Sequence, residues 1–256
     1  MAGFSLRHFM PRVLRKRLWG DRERWGLAVN SEDPHWQEWQ ETYAKFYMAN
    51  QRQGLGTKIN DAGYQVMADV NLSGQTVLEI GAGDIRHMKH WIGVPDNYLL
   101  ADISNDMMEF AKAHLATQGV PHETLLLQRD QSLPLANESV DIVVSFYSLE
   151  HLHPLEDHLN EILRVLKPGG ILIGAVPAEG GLAWGFGRLI TSRRWFKKHT
   201  TVDPDKIICW EHPNFADDIL STLDTRFNRQ AVSYWPLPWL SLLDPNLIIR
   251  LEYRKA

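Results

Sequence analysis

The chain has 256 residues, 44% of them hydrophobic, enough to bury one substantial core, so one domain with additions is expected. Its net charge of −4 excludes a global attraction to nucleic acid, which depends on clustered Lys and Arg neutralising phosphates. A single cysteine, Cys209, rules out an internal disulfide framework and fits a reducing, cytoplasmic compartment. No run approaches membrane-spanning length, and the N-terminal arginines lack the continuous apolar segment of a secretory signal.

In the first segment Arg7, Arg12, Arg15, Lys16, Arg17, Arg22 and Arg24 face only Asp21 and Glu23, while Leu6, Met10, Val13, Leu14 and Leu18 recur at helical spacing. The pattern predicts a basic amphipathic helix starting near Pro11. Such a helix lies on an anionic membrane, meets an acidic substrate, or docks on its own domain; it also resembles an organelle transit peptide. A second helix is predicted over residues 34–53, with Trp36, Trp39, Tyr43, Phe46 and Tyr47 as an aromatic stripe. A third, over residues 57–70, leads into the turn Asn71-Leu72-Ser73-Gly74.

The most informative run follows. From Val77 to His87 an apolar strand carries an acid, Glu79, and breaks into the glycine turn Gly81-Ala82-Gly83. Glycines reach backbone angles closed to other residues and let a ligand lie against the main chain, and a following helix presents unpaired N–H groups. A carboxylate at Glu79 repels a pyrophosphate and attracts an amine, so the corner suits an amino-acid-bearing nucleoside better than a dinucleotide. Tyr98 to Asp102 is a second apolar run ending in an acid, placed to accept both ribose hydroxyls.

Downstream, short strands alternate with amphipathic helices: a helix after Asp84, another over residues 104–118, strands over 124–128, 140–146 and 170–176, and a helix over 154–166. This reads as an α/β, doubly wound parallel sheet with helices on both faces, its ligand at the carboxyl ends of the strands. Residues 227–235 and 247–253 alternate apolar and polar residues, and a helix is predicted over 214–223.

Together with Val140 to His151 and the stretch Arg164-Val165-Leu166-Lys167-Pro168-Gly169-Gly170-Ile171-Leu172-Ile173, these motifs resemble class I S-adenosylmethionine-dependent methyltransferases over residues 75–177. Leu-Lys-Pro-Gly-Gly before an apolar strand is characteristic of the small-molecule branch, and the chain is similar to the ubiquinone/menaquinone-biosynthesis type. The resemblance implies a Rossmann-like seven-stranded sheet closed by an antiparallel pair, helices ahead of the first strand forming a lid, and methyl transfer from S-adenosyl-L-methionine. It divides the chain into a helical extension and lid, 1–70, and a catalytic domain, 71–256, with a substrate-side insertion at 178–212. Glu79, Gly81, Ala82 and Gly83 would hold the methionine portion, Asp102 the ribose, and Ile103 and Asp130 the adenine, with Ser145 at the fourth strand end. Two departures stand out: Ile85 replaces a small residue, and an ungapped match puts Arg129 where relatives carry an acid, one place before Asp130.

Methyl transfer needs alignment of donor and acceptor, and a base when the acceptor is a hydroxyl. The candidate bases are His151, which follows the strand end facing the methyl group, and His212 at the entry to the next helix. His153 is expected to point elsewhere. Relatives with a Glu-x-x-Glu-His motif bind a divalent metal here; Tyr147 replaces the first Glu, so no metal requirement is expected. The Asp/Asn-Pro-Pro-aromatic segment of base N-methyltransferases is replaced by Ser145-Phe146-Tyr147-Ser148. Tyr43, Tyr47, Tyr147, Trp184 and Arg194 are the candidate acceptor contacts, in the lid, at the strand end and in the glycine-, aromatic- and cation-rich insertion. Trp235 to Leu243 reads as a proline-stiffened apolar loop that closes over the acceptor, pairs with another subunit or dips into a membrane interface. The expected acceptor is a small molecule, a glycan or a lipid-linked precursor. An RNA methyltransferase using the basic segments, and a non-catalytic interaction protein that kept the fold, are the alternatives.

Overall fold

The structure is a computed structural model describing residues 4–50, 54–128 and 132–256. The N-terminal segment forms α1 (Arg12–Trp19), begun at Pro11 as the sequence predicts, α2 (Arg22–Trp25), α3 (Pro34–Asn50) and α4 (Gly54–Tyr64). Seven strands follow: β1 (Thr76–Ile80), β2 (Asn97–Asp102), β3 (His122–Leu126), β4 (Val140–Phe146), β5 (Leu166–Pro177), β6 (Asn228–Trp235) and β7 (Ile248–Arg254). Between them lie α5 (Asn105–Thr117), α6 (Leu155–Val165), α7 (Leu182–Ile190), α8 (Ser192–His199), α9 (Pro204–Glu211) and α10 (Ala216–Asp224).

The strands form one sheet in the order β3-β2-β1-β4-β5-β7-β6. The first five run parallel and β7 is antiparallel to both β5 and β6, as the resemblance implied. The order reverses between β1 and β4, so their carboxyl ends flank the crevice where such sheets bind ligands. Alternation along each strand sends side chains to opposite faces. Leu78 and Ile80 join α6 and α10 in one core; Val77, Tyr98 and Leu100 join α5 and the turns after α4 in the other.

Two stretches differ from the sequence reading. The helix expected after Asp84 is a single short 3-10 helix, Arg86–His90. Ile85, in the left-handed conformation at φ 50° and 1% exposed, turns inward, and Gly93 and Pro95 follow too soon for further turns. A cavity of about 440 Å³, lined by Asn60, Asp61, Tyr64, Asp84, Arg86 and His114 among others, lies between α4, this short helix and α5. The insertion, in turn, is helical: α7, α8 and α9 occupy most of it.

The N-terminal helices pack on that insertion. Trp36 and Trp39 of α3 share a small core with Phe196, Val202, Ile207, Cys209 and Trp210. Leu18 and Trp19 of α1 pack on Phe215, and Gly185 of α7 lets the Trp19 indole approach so closely that a Cβ there would lie 3.0 Å from its Nε1. The aromatic stripe is thus at once a covering and a core.

Candidate functional site

At the carboxyl end of β1, Gly81 (φ 73°) and Gly83 (φ 54°) make the turn. A side chain at Gly81 would strike Ser148, whose hydroxyl donates to the Ile80 carbonyl at 2.7 Å, whereas Gly83 faces open space. Beside it, Asp102 accepts the Ser104 N–H at 2.8 Å and lies against the Gly83 N–H; burial raises its pKa despite these donors. Ile103 is exposed next to it. Gly83, Asp102 and Ile103 therefore share one open corner.

Glu79 is not part of that opening. It is fully buried, and its oxygens accept the Tyr98 hydroxyl at 2.6 Å and His87 Nε2 at 3.0 Å. Because the Trp91 indole N–H donates to His87 Nδ1, the imidazole proton sits on Nε2 and points at Glu79. This carboxylate faces the side of β1 that carries Val77, where the Tyr98 and His87 donors take it up. Ala82 is buried beside it. Ser145 is also fully buried and donates to Ser148 Oγ at 3.3 Å, so Ser148 is the serine that meets the glycine corner. Asp130 lies outside the described residues.

One loop further on, a 3-10 turn, Leu149–His151, brings Glu150 and His151 against His212 at the end of α9. The two imidazole centroids are 4.6 Å apart. Asn214 fixes the turn, donating to the Leu149 and Leu152 carbonyls at 2.9 and 2.6 Å. His151 Nδ1 donates to the Glu211 carbonyl, and its Nε2 lies 3.8 Å from Glu150 Oε1. Glu150 is 1% exposed, and among the described residues its Oε2 accepts no hydrogen bond; His212 Nδ1, 3.4 Å from Glu179 Oε2, makes none either. Buried Glu179 is itself taken up by Trp184, which donates to Oε2 at 2.9 Å, and by Arg188 at 2.7 Å.

The charges sort the two histidines. Although burial opposes it, Glu211 and Glu150 raise the His151 pKa to about 9, so this ring is an imidazolium at neutral pH. Burial, helped by the cations Arg188, His151 and Arg22, holds His212 well below the usual histidine range, so it is neutral. Burial pushes Glu150 up to about 7. Of the two rings, His212 is the neutral one and His151 the charged one.

The remaining acceptor candidates scatter. Trp184 is at the site through Glu179. Tyr43 stacks edge-on against Trp39, whose indole N–H donates to Glu211 Oε1 at 2.7 Å, and so borders it. Tyr147 turns away: its hydroxyl donates to the Asn60 carbonyl at 2.7 Å, which ties α4 to the end of β4. Arg194 is exposed on the outer side of α8, and the insertion's cation at the site is Arg188. The side chain of Tyr47 lies outside the described residues. Sequence reasoning missed Glu179, Arg188 and Arg22; Arg22 donates to the carbonyls of His212 (2.7 Å) and Pro213 with its guanidinium over the Phe215 ring. An acid just past an apolar strand, at Glu179, was the one available signal.

The glycine corner, the acid at the end of β2 and the sheet order define a Rossmann-like α/β fold closed by an antiparallel pair. Residues 78–174 match the methyltransferase domain family. The ubiquinone/menaquinone biosynthesis C-methyltransferase UbiE of Azotobacter vinelandii is 34% identical over 104 residues, 39% of this chain and 41% of that protein. The chain thus spans about two-fifths of the length of the curated relatives it matches. An S-adenosylmethionine-dependent methyltransferase from Mesorhizobium loti shares the fold with a TM-score of 0.53 at 16% identity, over 77% of this chain and 100% of that one. The [4+2]-cyclase SpnF shares it with 0.58 at 14% identity, over 90% of this chain and 97% of that one. The likeness in sequence is thus confined to the first five strands of the sheet, residues 78–174, and beyond them the fold alone is shared.

Proposed function

We propose that the protein transfers the methyl group of S-adenosylmethionine to an oxygen or nitrogen of a small-molecule, glycan or lipid-linked acceptor. The observation that carries this reading is the open Gly83–Asp102–Ile103 corner at the ends of β1 and β2, with the cluster of Glu150, His151 and His212 following the end of the neighbouring strand β4. The cofactor supplies a methyl carbon activated by its sulfonium. Asp102 accepts the ribose hydroxyls and Ile103 covers the base. With the cofactor bound, His212 would take the proton that the acceptor loses. Cationic His151 and the Glu179–Arg188 pair hold the acceptor wall. The test is calorimetric titration with S-adenosylmethionine and S-adenosylhomocysteine. Micromolar binding, of order ~8 kcal/mol, that Asp102→Ala abolishes is expected, and no binding to either ligand would overturn the reading.

A second reading is favoured by the two unpartnered atoms. Glu150, His151 and His212 offer one carboxylate and two imidazole donors, all within 4.8 Å of one another. That set suits a borderline divalent ion such as zinc or manganese, which would polarise an acceptor hydroxyl in place of a free base. The sequence offered only the first two of these residues as neighbours, hence the expectation of no metal. Dialysis against a chelator distinguishes the readings: activity retained supports the base, and activity lost and restored by the ion supports the metal.

A further inference from the structure

Two segments far apart in sequence, residues 4–20 and 180–202, contain five Lys or Arg each and no Asp or Glu, in a chain whose net charge is −4. The fold brings them together. Gly185 of α7 packs on Leu18 and Trp19 of α1, and Met10, Leu182 and Leu189 close around the same cluster. The turn before β7 joins them: Leu243 donates its N–H to the Phe4 carbonyl at 3.0 Å, and the Phe4 ring lies 5.8 Å from that of Phe9. Outside this seam stand apolar side chains with nothing over them. Phe9 is 76%, Val13 77% and Trp239 78% exposed, and Leu14, Phe186 and Ile190 are exposed as well. Arg15, Arg17, Arg194, Lys197 and Lys198 are exposed in the same helices, and among the described residues none of them has an ion-pair partner.

We propose that this face, made by α1, α7, α8 and the turn at 236–242, docks on an anionic lipid bilayer. Exposed aromatic and aliphatic side chains set among uncompensated cations match a headgroup layer that is negative outside and apolar beneath. A protein partner of ordinary acidity would meet the charge and leave Phe9, Val13 and Trp239 in water. The opposite side of α7 carries Arg188 and Trp184, which hold Glu179 beside His212, so one helix separates the proposed lipid surface from that buried pair. The inference stands apart from the methyl-transfer reading, since it concerns a surface and not the chemistry.

The test is flotation of the whole chain with vesicles of phosphatidylcholine alone and with added phosphatidylglycerol. Binding to the anionic vesicles only is expected, weakened by salt. Phe9→Ser with Val13→Ser, and separately Arg194→Glu with Lys197→Glu and Lys198→Glu, should each lose it at least about tenfold, because each cation near the surface contributes about fivefold. All these residues are exposed, so thermal melting and calorimetric cofactor binding should not change, which separates failure here from failure of the proposed activity. Absence of binding to anionic vesicles overturns the proposal. So does a dimer in sedimentation that the Phe9/Val13 variant abolishes, or salt-sensitive RNA binding without vesicle binding.

Discussion

His87 donates its Nε2 proton to Glu79 inside the sheet–helix layer, 3.0 Å away, in a chain of hydrogen bonds that runs from Trp91 to Tyr98. The short turn after the glycine corner is held by this buried pair in place of a full helix. His87→Ala leaves Glu79 with one partner and opens a cavity. A loss of about 3 kcal/mol in urea unfolding is expected, of the size found when a buried charged acceptor loses a donor. A loss below about 1 kcal/mol would mean that water replaces the imidazole.

Ile85 sets two effects against each other. A β-branched residue in the left-handed region costs about 1–2 kcal/mol, which glycine would relieve. Its buried side chain contributes about 2–5 kcal/mol to packing, which glycine would remove. The second is larger, so Ile85→Gly should destabilise by about 2 kcal/mol. A higher melting temperature for the variant would show that strain wins.

The histidines should separate in kinetics. His212→Asn should lower kcat about 10²–10⁴-fold with little change in KM, the usual range for a lost base. In the wild type the acid limb of the rate profile should lie well below pH 6.5, because protonation of His212 is disfavoured. His151 acts oppositely on stability. Its folded-state pKa of about 9 exceeds the usual value, so its contribution is fully present below about pH 6.5 and lost as pH rises through 9. Comparing His151→Gln with the wild type, the stability gap should narrow over that window; a gap independent of pH would contradict the assignment.

Arg22 clamps the chain on either side of the base. Arg22→Ala leaves the carbonyls of His212 and Pro213 without their donor and uncovers Phe215. About 2 kcal/mol of stability should be lost, together with most activity, while cofactor binding persists. Unchanged turnover would show that His212 is placed by its own helix alone.

The sheet was legible because period-two alternation, the glycine corner and the acid of Asp102 are local signals. β1 and β4 fall where the sequence predicts them. The shortened helix was legible only in part: Gly93 and Pro95 limit it from the sequence, whereas the inward turn of Ile85 and the bond from His87 to Glu79 belong to the fold. The same holds at the acceptor wall. His151 and His212 were both marked as bases, but their order depends on Glu211, Arg188 and Arg22, which reach them from three other elements. Tyr147 has the residue type of an acceptor contact, and only its positive φ and its bond to Asn60 reveal a structural tie.

Arg22 and Trp39 reach residues 211–213 across more than 170 positions of chain. Long-range pairings of this kind form late and slowly. A ribosome would release the parallel strands and their glycine turn well before the pocket that distinguishes one acceptor from another had its walls. The two halves of the wall are also free to change as a matched set, without disturbing the sheet. A shuffled N-terminal segment joined to a foreign insertion would keep the sheet and its glycine turn and lose the contacts that hold residues 211–213.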